Sequence, residues 1–216
     1  MESPEISGTS TRRPRQARSQ RTRARLLEAT IEALIELGYA GAKTTEIADR
    51  AGVSQGALYK HFPTKIEILG DALADLLARM RARFDDRWST DPERETDPAG
   101  TVFRHMWDIF TSPELQAAFE LYVAARTDDE LAARVVPAIE HHRSRLAARS
   151  HELFPVDEHD EESGEAIQAL VSTLQGAGMV GALLSRTHAL ATTQRRSIER
   201  MFRAEFARMA ERRRQP

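Results

Sequence analysis

The stretch Thr44–Phe62, TTEIADRAGVSQGALYKHF, decides how this chain reads. Ile47, Ala51, Val53, Leu58 and Phe62 are spaced to pack two short crossed helices and their support. Ala48 falls where two such helices approach closest, a place for a small side chain. Gly52 falls in the connection, where a positive φ carries no steric penalty for glycine. Ser54 is placed to cap the second helix by accepting a backbone N–H bond. Gln55, Gly56, Ala57, Tyr59, Lys60 and His61 are then left on the second helix and its end. They suit a DNA groove: an amide for base edges, small residues for close approach, a phenol and cations for phosphate. The pattern predicts a helix-turn-helix over residues 43–62.

Outward from the motif, every segment reads as helix. Leu27, Ile31, Leu34 and Leu37 recur at three- and four-residue spacing from Arg18 onward, and Gly38 is placed to end that helix. A long helix follows Pro63 and Thr64, carrying Ile66, Leu69, Leu73, Leu76, Met80 and Phe84. After the loop STDPERETDP at 89–98, helices are expected at roughly 99–111, 113–127 and 128–153, with Pro137 kinking or breaking the last. PVDEHDEES at 155–163 reads as an acidic linker, before helices at roughly 161–187 and 192–212. No segment alternates apolar and polar residues over a strand's length, and no repeat is found. The expected fold is all-α with about nine helices. The expected organisation is a flexible basic tail at 1–17, a DNA-binding domain at 18–80 and a larger helical domain at 81–216.

Composition narrows the class. The chain has 216 residues, of which 41% are apolar and 30% charged, and it has no cysteine. Disulfides and thiolate chemistry are therefore excluded. The segment MESPEISGTSTRRPRQARSQ has no apolar run and does not read as a secretory signal, and no stretch of about 18 apolar residues occurs. A cytoplasmic protein without membrane contact is expected. The net charge of −2 hides a basic N-terminal segment on an acidic body, which places polyanion contact in the N-terminal part. Arg12, Arg13, Arg15, Arg18, Arg21, Arg23 and Arg25 form either an arm that adds DNA affinity or a solvated tail.

The run Leu26–Lys65, LLEATIEALIELGYAGAKTTEIADRAGVSQGALYKHFPTK, resembles the N-terminal domain of the tetracycline-repressor (TetR) family. The resemblance is carried by Gly38–Tyr39, Ile47–Ala48, Ala51–Gly52–Val53–Ser54, Gly56, Leu58–Tyr59, His61–Phe62 and Lys65, and covers about residues 18–80. It implies that Thr44 and Thr45 begin the first motif helix near the DNA, and that Gln55, Gly56 and Ala57 face the groove. It further implies that Tyr59, His61 and Lys65 meet phosphate. Many relatives carry Thr or Ser where this chain has Ala42 and Lys43, which leaves the cap of the first motif helix open, with Thr44 as a substitute. It also implies that the remaining helices form an effector-binding and dimerisation domain.

In that domain Phe103, Met106, Trp107 and Phe110 on one helix, and Phe119 and Tyr122 on the next, either enclose an aromatic-lined effector cavity or are simply core. His105, Arg104, Asp108 and Arg126 stand near them as polar candidates. The run Gln175–Gly181 places three glycines in one helix, which signals close backbone approach. With the family's four-helix dimer bundle in view, Leu170, Leu174, Met179, Val180, Leu183, Ile198, Phe202 and Phe206 are interface candidates; packing within the subunit is the alternative. The adjacent His141 and His142 diverge by about 100° on a helix and are not read as a metal site. No phosphate loop, nucleophile elbow or cofactor motif occurs, and no enzyme is expected. The expected function is a homodimeric DNA-binding regulator with a double-stranded operator, released as a repressor by a small apolar or aromatic effector. The alternative is an activator or architectural DNA-binding protein without an effector.

Overall fold

The computed structural model describes residues 12–156, 160–184 and 188–214. Among them the chain is all helical: α1 (Arg12–Gly41), α2 (Thr44–Arg50), α3 (Gln55–His61), α4 (Lys65–Thr90), α5 (Pro98–Phe110), α6 (Pro113–Ala125), α7 (Asp129–Ala147), α8 (Ser150–Leu153), α9 (Glu161–Leu184) and α10 (His188–Arg214). Nine of these are helices of two turns or more, and α8 is a single turn. The chain divides into two compact units between Ala72 and Leu73, inside α4.

In the first unit, Leu26, Leu34, Ile47, Leu58, Phe62, Ile68 and Leu69 are almost wholly buried. Gly38 interrupts α1 with φ 69°, a conformation that glycine alone adopts without strain, and so re-aims the chain before the motif. Helix α1 begins at Arg12, six residues before the periodicity begins. Pro14 is tolerated there because a first-turn N–H has no helical partner anyway. Residues 1–11 of the expected tail lie outside the described residues.

In the second unit, each of three helices starts at a local cap. Asp97 accepts from Gly100 N at 3.1 Å, Ser112 from Leu115 N at 3.3 Å and Asp128 from Leu131 N at 2.9 Å. Pro98 and Pro113 occupy the first positions of α5 and α6, where their fixed φ suits a helix start. Helices α5, α9 and α10 pack on one another around Phe103, Phe154, Phe202 and Phe206. The ring centroids of Phe103 and Phe202 are 5.6 Å apart, and Phe154 lies 5.9 Å from both Phe202 and Phe206.

Three expectations are corrected here. Pro137 neither ends nor splits α7; it is exposed, so the carbonyl that loses its helical donor can turn to water. The segment after α8 is not simply a linker, because Phe154 and Val156 are buried in the core before the acidic residues begin. Of the dimer candidates, Leu170, Leu174, Ile198, Phe202 and Phe206 belong to the subunit's own core. Helix α5 lies against both α9 and α10 and covers their inward stripes. Met179 and Val180 remain exposed, at 42% and 46%, and the Leu183 side chain lies outside the described residues.

The glycines of α9 divide in the same way. A Cβ on Gly178 would lie 2.0 Å from the Phe110 carbonyl oxygen, so this glycine is required by the contact with α5. The Gly178 carbonyl also accepts from Gln116 Nε2 at 2.9 Å. At Gly176 and Gly181 a Cβ would meet nothing within 4 Å.

Candidate nucleic-acid interface

Helices α2 and α3 are joined by a turn whose geometry follows from three local residues. Gly52 has φ 62°, in the left-handed region. Val53 N donates to the Ala48 carbonyl at 3.0 Å and closes the turn. Ser54 Oγ accepts from Ala57 N at 3.2 Å and starts α3. Ile47, Ala48 and Leu58 are fully buried and hold the two helices together.

The outer surface of α3 is polar. Ser54, Gln55, Gly56, Tyr59 and Lys60 are exposed, while Ala57 and His61 are half-buried. Tyr59 is 45% exposed and its hydroxyl lies 3.2 Å from Thr44 Oγ1, with either atom as donor. That contact ties the start of α2 to α3. Thr45 is exposed beside it. Thr44 therefore does not cap α2. The cap position is Lys43, which makes no side-chain capping bond, and Lys43 N donates to the Gly41 carbonyl at 2.7 Å.

Two braces escaped the sequence reading. Arg50 donates to Glu46 at 2.6 Å and pairs with Glu36 at 2.8 Å, clamping α2 to α1. The Glu46–Arg50 spacing of four residues was the available signal. Arg23, one of the tail arginines, pairs with Asp71 and lies 5.1 Å from the Phe62 ring centre. It supports the motif from behind. Lys65, at the start of α4, donates to the Tyr39 carbonyl at 3.3 Å and stands 4.7 Å from the Tyr39 ring centre. Burial, and then Lys43, holds the Lys65 ammonium below the ordinary lysine value.

The second unit carries a half-open cavity of about 520 Å³ between α4, α5, α7, α8 and α9. Its apolar floor includes Met80, Phe84, Met106, Ile109, Phe110 and Ile167. Met106 and Phe110 are the two expected effector residues that line it. Phe103 and Trp107 do not: their rings, 5.8 Å apart, pack on the α5–α10 side. Phe119 and Tyr122 pair with each other at 5.8 Å, and burial pushes the Tyr122 hydroxyl up to about 12. Three of the four polar candidates are engaged elsewhere. His105 Nε2 lies 2.9 Å from Asp91, Arg104 pairs with Asp91 and Glu93, and Asp108 pairs with Arg87. Arg126 is exposed just beyond α6.

A paired helix-turn-helix with an outward polar recognition helix, on a helical body, defines a DNA-binding transcriptional regulator. The profile of the bacterial regulatory proteins, tetR family, matches residues 26–72. The HTH-type transcriptional regulator Rv2912c of Mycobacterium tuberculosis is 33% identical over 175 residues, 80% of this chain and 88% of the relative. A TetR-family transcriptional regulator from Rhodococcus sp. superimposes with a TM-score of 0.65 at 19% identity, over 87% of this chain and 99% of that one. A transcriptional regulator from Saccharomonospora viridis in complex with choline gives 0.62 at 16% identity, over 85% and 96%. The chain belongs to the TetR family of helix-turn-helix transcriptional regulators, and it is not an enzyme. Among the described residues no helix is long and apolar enough to cross a membrane.

Proposed function

We propose that this chain is a cytoplasmic, homodimeric repressor that a small apolar molecule releases from its operator. The observation that carries the effector half of this reading is the cavity of about 520 Å³, within the usual range for ligand sites. The similar Saccharomonospora viridis regulator is in complex with choline, and this reading extends the capacity for a small ligand to the present chain.

The DNA half rests on the exposed face of α3. Gln55 is the residue suited to a base edge; Tyr59, Lys60, His61 and Lys65 are suited to phosphate, with Thr44, Thr45 and Ser54 beside them. Gly56 and Ala57 let the backbone come close. A seven-residue helix reads few base pairs, so two copies on a two-fold site are expected. The pairing surface is the outward side of α9 and α10, where Gly176, Met179, Val180 and Met201 are exposed. Release follows from a population shift: an effector lowers DNA affinity only by its differential affinity for the conformer that cannot bind both half-sites.

The test has two arms. Deleting the gene raises transcription from the adjacent promoter if the protein represses, and lowers it if the protein activates. The hydrophobic dye Nile red binds the purified protein at one site per subunit and weakens its gel shift on upstream DNA, and Met106→Arg abolishes both effects. Dye binding that survives this substitution overturns the assignment of the cavity.

A further inference from the structure

The apolar floor of the cavity has a mainly cationic rim. Arg81, Arg143, Arg145 and Arg149 line it, with Asp85 as the single acid. That acid is already engaged, since Arg149 pairs with Asp85 at 2.6 Å and with Glu152 at 3.0 Å. Even so, Arg149 Nε is buried without a hydrogen-bond partner among the described residues.

The other three arginines make no salt bridge among the described residues, and two are held by neutral groups. Arg81 donates to His142 Nδ1 at 2.7 Å. Burial, then the neighbouring Arg81 and His141, pushes His142 down to about 4, so its ring is neutral and accepts this bond. Arg143 donates to the Gln168 side-chain oxygen at 3.1 Å. Arg145 is close enough to Arg81 to disfavour its charge, after the burial that does so first. Asp85 partly offsets this at the half-buried Arg81, while Arg143 and Arg145 are exposed. Cations that outnumber the acids around one cavity attract an anion placed among them. Guanidinium forks match a carboxylate in two parallel bonds.

From this rim and floor we infer that the effector is an amphiphilic monocarboxylate, with its aliphatic tail on Met80, Met106, Ile109 and Ile167 and its head at Arg81 and Arg145. The inference rests on the cavity being the effector site. It ranks a carboxylate above two chemistries that the floor alone would accept equally: a neutral apolar molecule gains nothing from the rim, and an organic cation is repelled by it.

The test is displacement of Nile red from the full-length protein by decanoate, 1-decanol and decylamine, below their micellar concentrations. Decanoate binds at least tenfold more tightly than 1-decanol, and decylamine binds more weakly than either. The double variant Arg81→Met with Arg145→Met narrows the decanoate preference to less than threefold while leaving 1-decanol unchanged. Arg208→Met, on α10 and outside the cavity, preserves the preference. Circular dichroism confirms that each variant is folded. An alcohol or amine that equals decanoate on the unaltered protein, a preference that survives the double variant, or the failure of all three to displace the dye overturns the inference. Gel shifts on the same samples separate the two readings. Decanoate that binds through the arginines but leaves DNA bound sustains the carboxylate site and removes ligand-released repression.

Discussion

Lys65 Nζ is held by Tyr39 twice, by a 3.3 Å hydrogen bond to its carbonyl and by the face of its ring 4.7 Å away. Both contacts lie within the first unit and fix a cation at the start of α4. Lys65→Ala removes one phosphate-facing cation from each subunit and lowers the salt slope of operator affinity by about one per subunit, about two for the dimer. Tyr39→Ala keeps the charge and the backbone carbonyl bond but removes the ring that holds it in place, so affinity falls while the salt slope stays the same. Tyr39→Phe keeps ring and carbonyl and binds as the unaltered protein does. Gel-shift titrations at several salt concentrations separate the three, and Tyr39→Ala binding normally at every salt would refute the role given to Tyr39.

Gln55 and Lys60 are both exposed on α3 but suit different parts of DNA. An amide reads base edges, and a matched amide–base pair discriminates by about 1–3 kcal/mol. Gln55→Ala therefore relaxes sequence preference at one position of each half-site without changing the salt slope. Lys60→Ala weakens binding to all sequences alike and lowers the slope. Selection from a randomised DNA library checks both, and an unchanged sequence profile for Gln55→Ala removes that residue from base reading.

The motif was legible because each of its determinants is local. The positive φ of Gly52, the cap from Ser54 and the burial of Ile47 and Leu58 involve residues fewer than fifteen apart. The second unit was legible only as helices. An apolar stripe such as Leu170, Leu174 and Ala177 says that a face is buried but not against what. Phe202 is equally apolar as an interface residue or as the partner of Phe103, and only the position of α5 decides. The same limit hid the cavity: Met106 and Phe110 line it while Phe103 and Trp107, on the same helix, do not. Its arginine rim comes from α4, α7 and the α7–α8 turn, brought together by tertiary packing rather than by any sequence spacing.

Asp97 does two tasks at the start of α5. It caps Gly100 N and forms a two-bond pair with Arg203 of α10 at 2.7 and 2.8 Å. The Arg203 guanidinium, together with the Gly100 N–H, holds its carboxyl below the ordinary value. A depressed carboxylate stabilises the fold above its unfolded value of about 4 and loses that contribution as pH falls through the lower folded value. Asp97→Asn keeps the cap but not the charge. It lowers stability at pH 7 by up to about 1 kcal/mol, as expected for a partly exposed pair. It also flattens the stability loss as pH falls below about 4. Urea unfolding at pH 7, 4 and 2 measures both, and parallel acid profiles for variant and parent contradict the pairing.

Helix α9 presents two kinds of glycine, and they make opposite predictions. Gly178 abuts the Phe110 carbonyl, so Gly178→Ala must push α9 from α5 and costs about 1–3 kcal/mol of subunit stability. Gly176 meets nothing within 4 Å in the subunit, and in isolation Gly176→Ala would gain up to about 1 kcal/mol from helix propensity alone. If a second copy packs on this face, a bulky or charged group there blocks it. Gly176→Leu and Met179→Glu then yield folded monomers that keep Nile red binding and lose operator affinity by far more than any single α3 substitution. Leu174→Ala behaves differently, because Leu174 is 1% exposed inside the subunit: it lowers the melting temperature of the subunit itself. Light scattering and thermal melts on the five variants distinguish these outcomes. Dimers that persist in both Gly176→Leu and Met179→Glu place the pairing surface away from the outward side of α9.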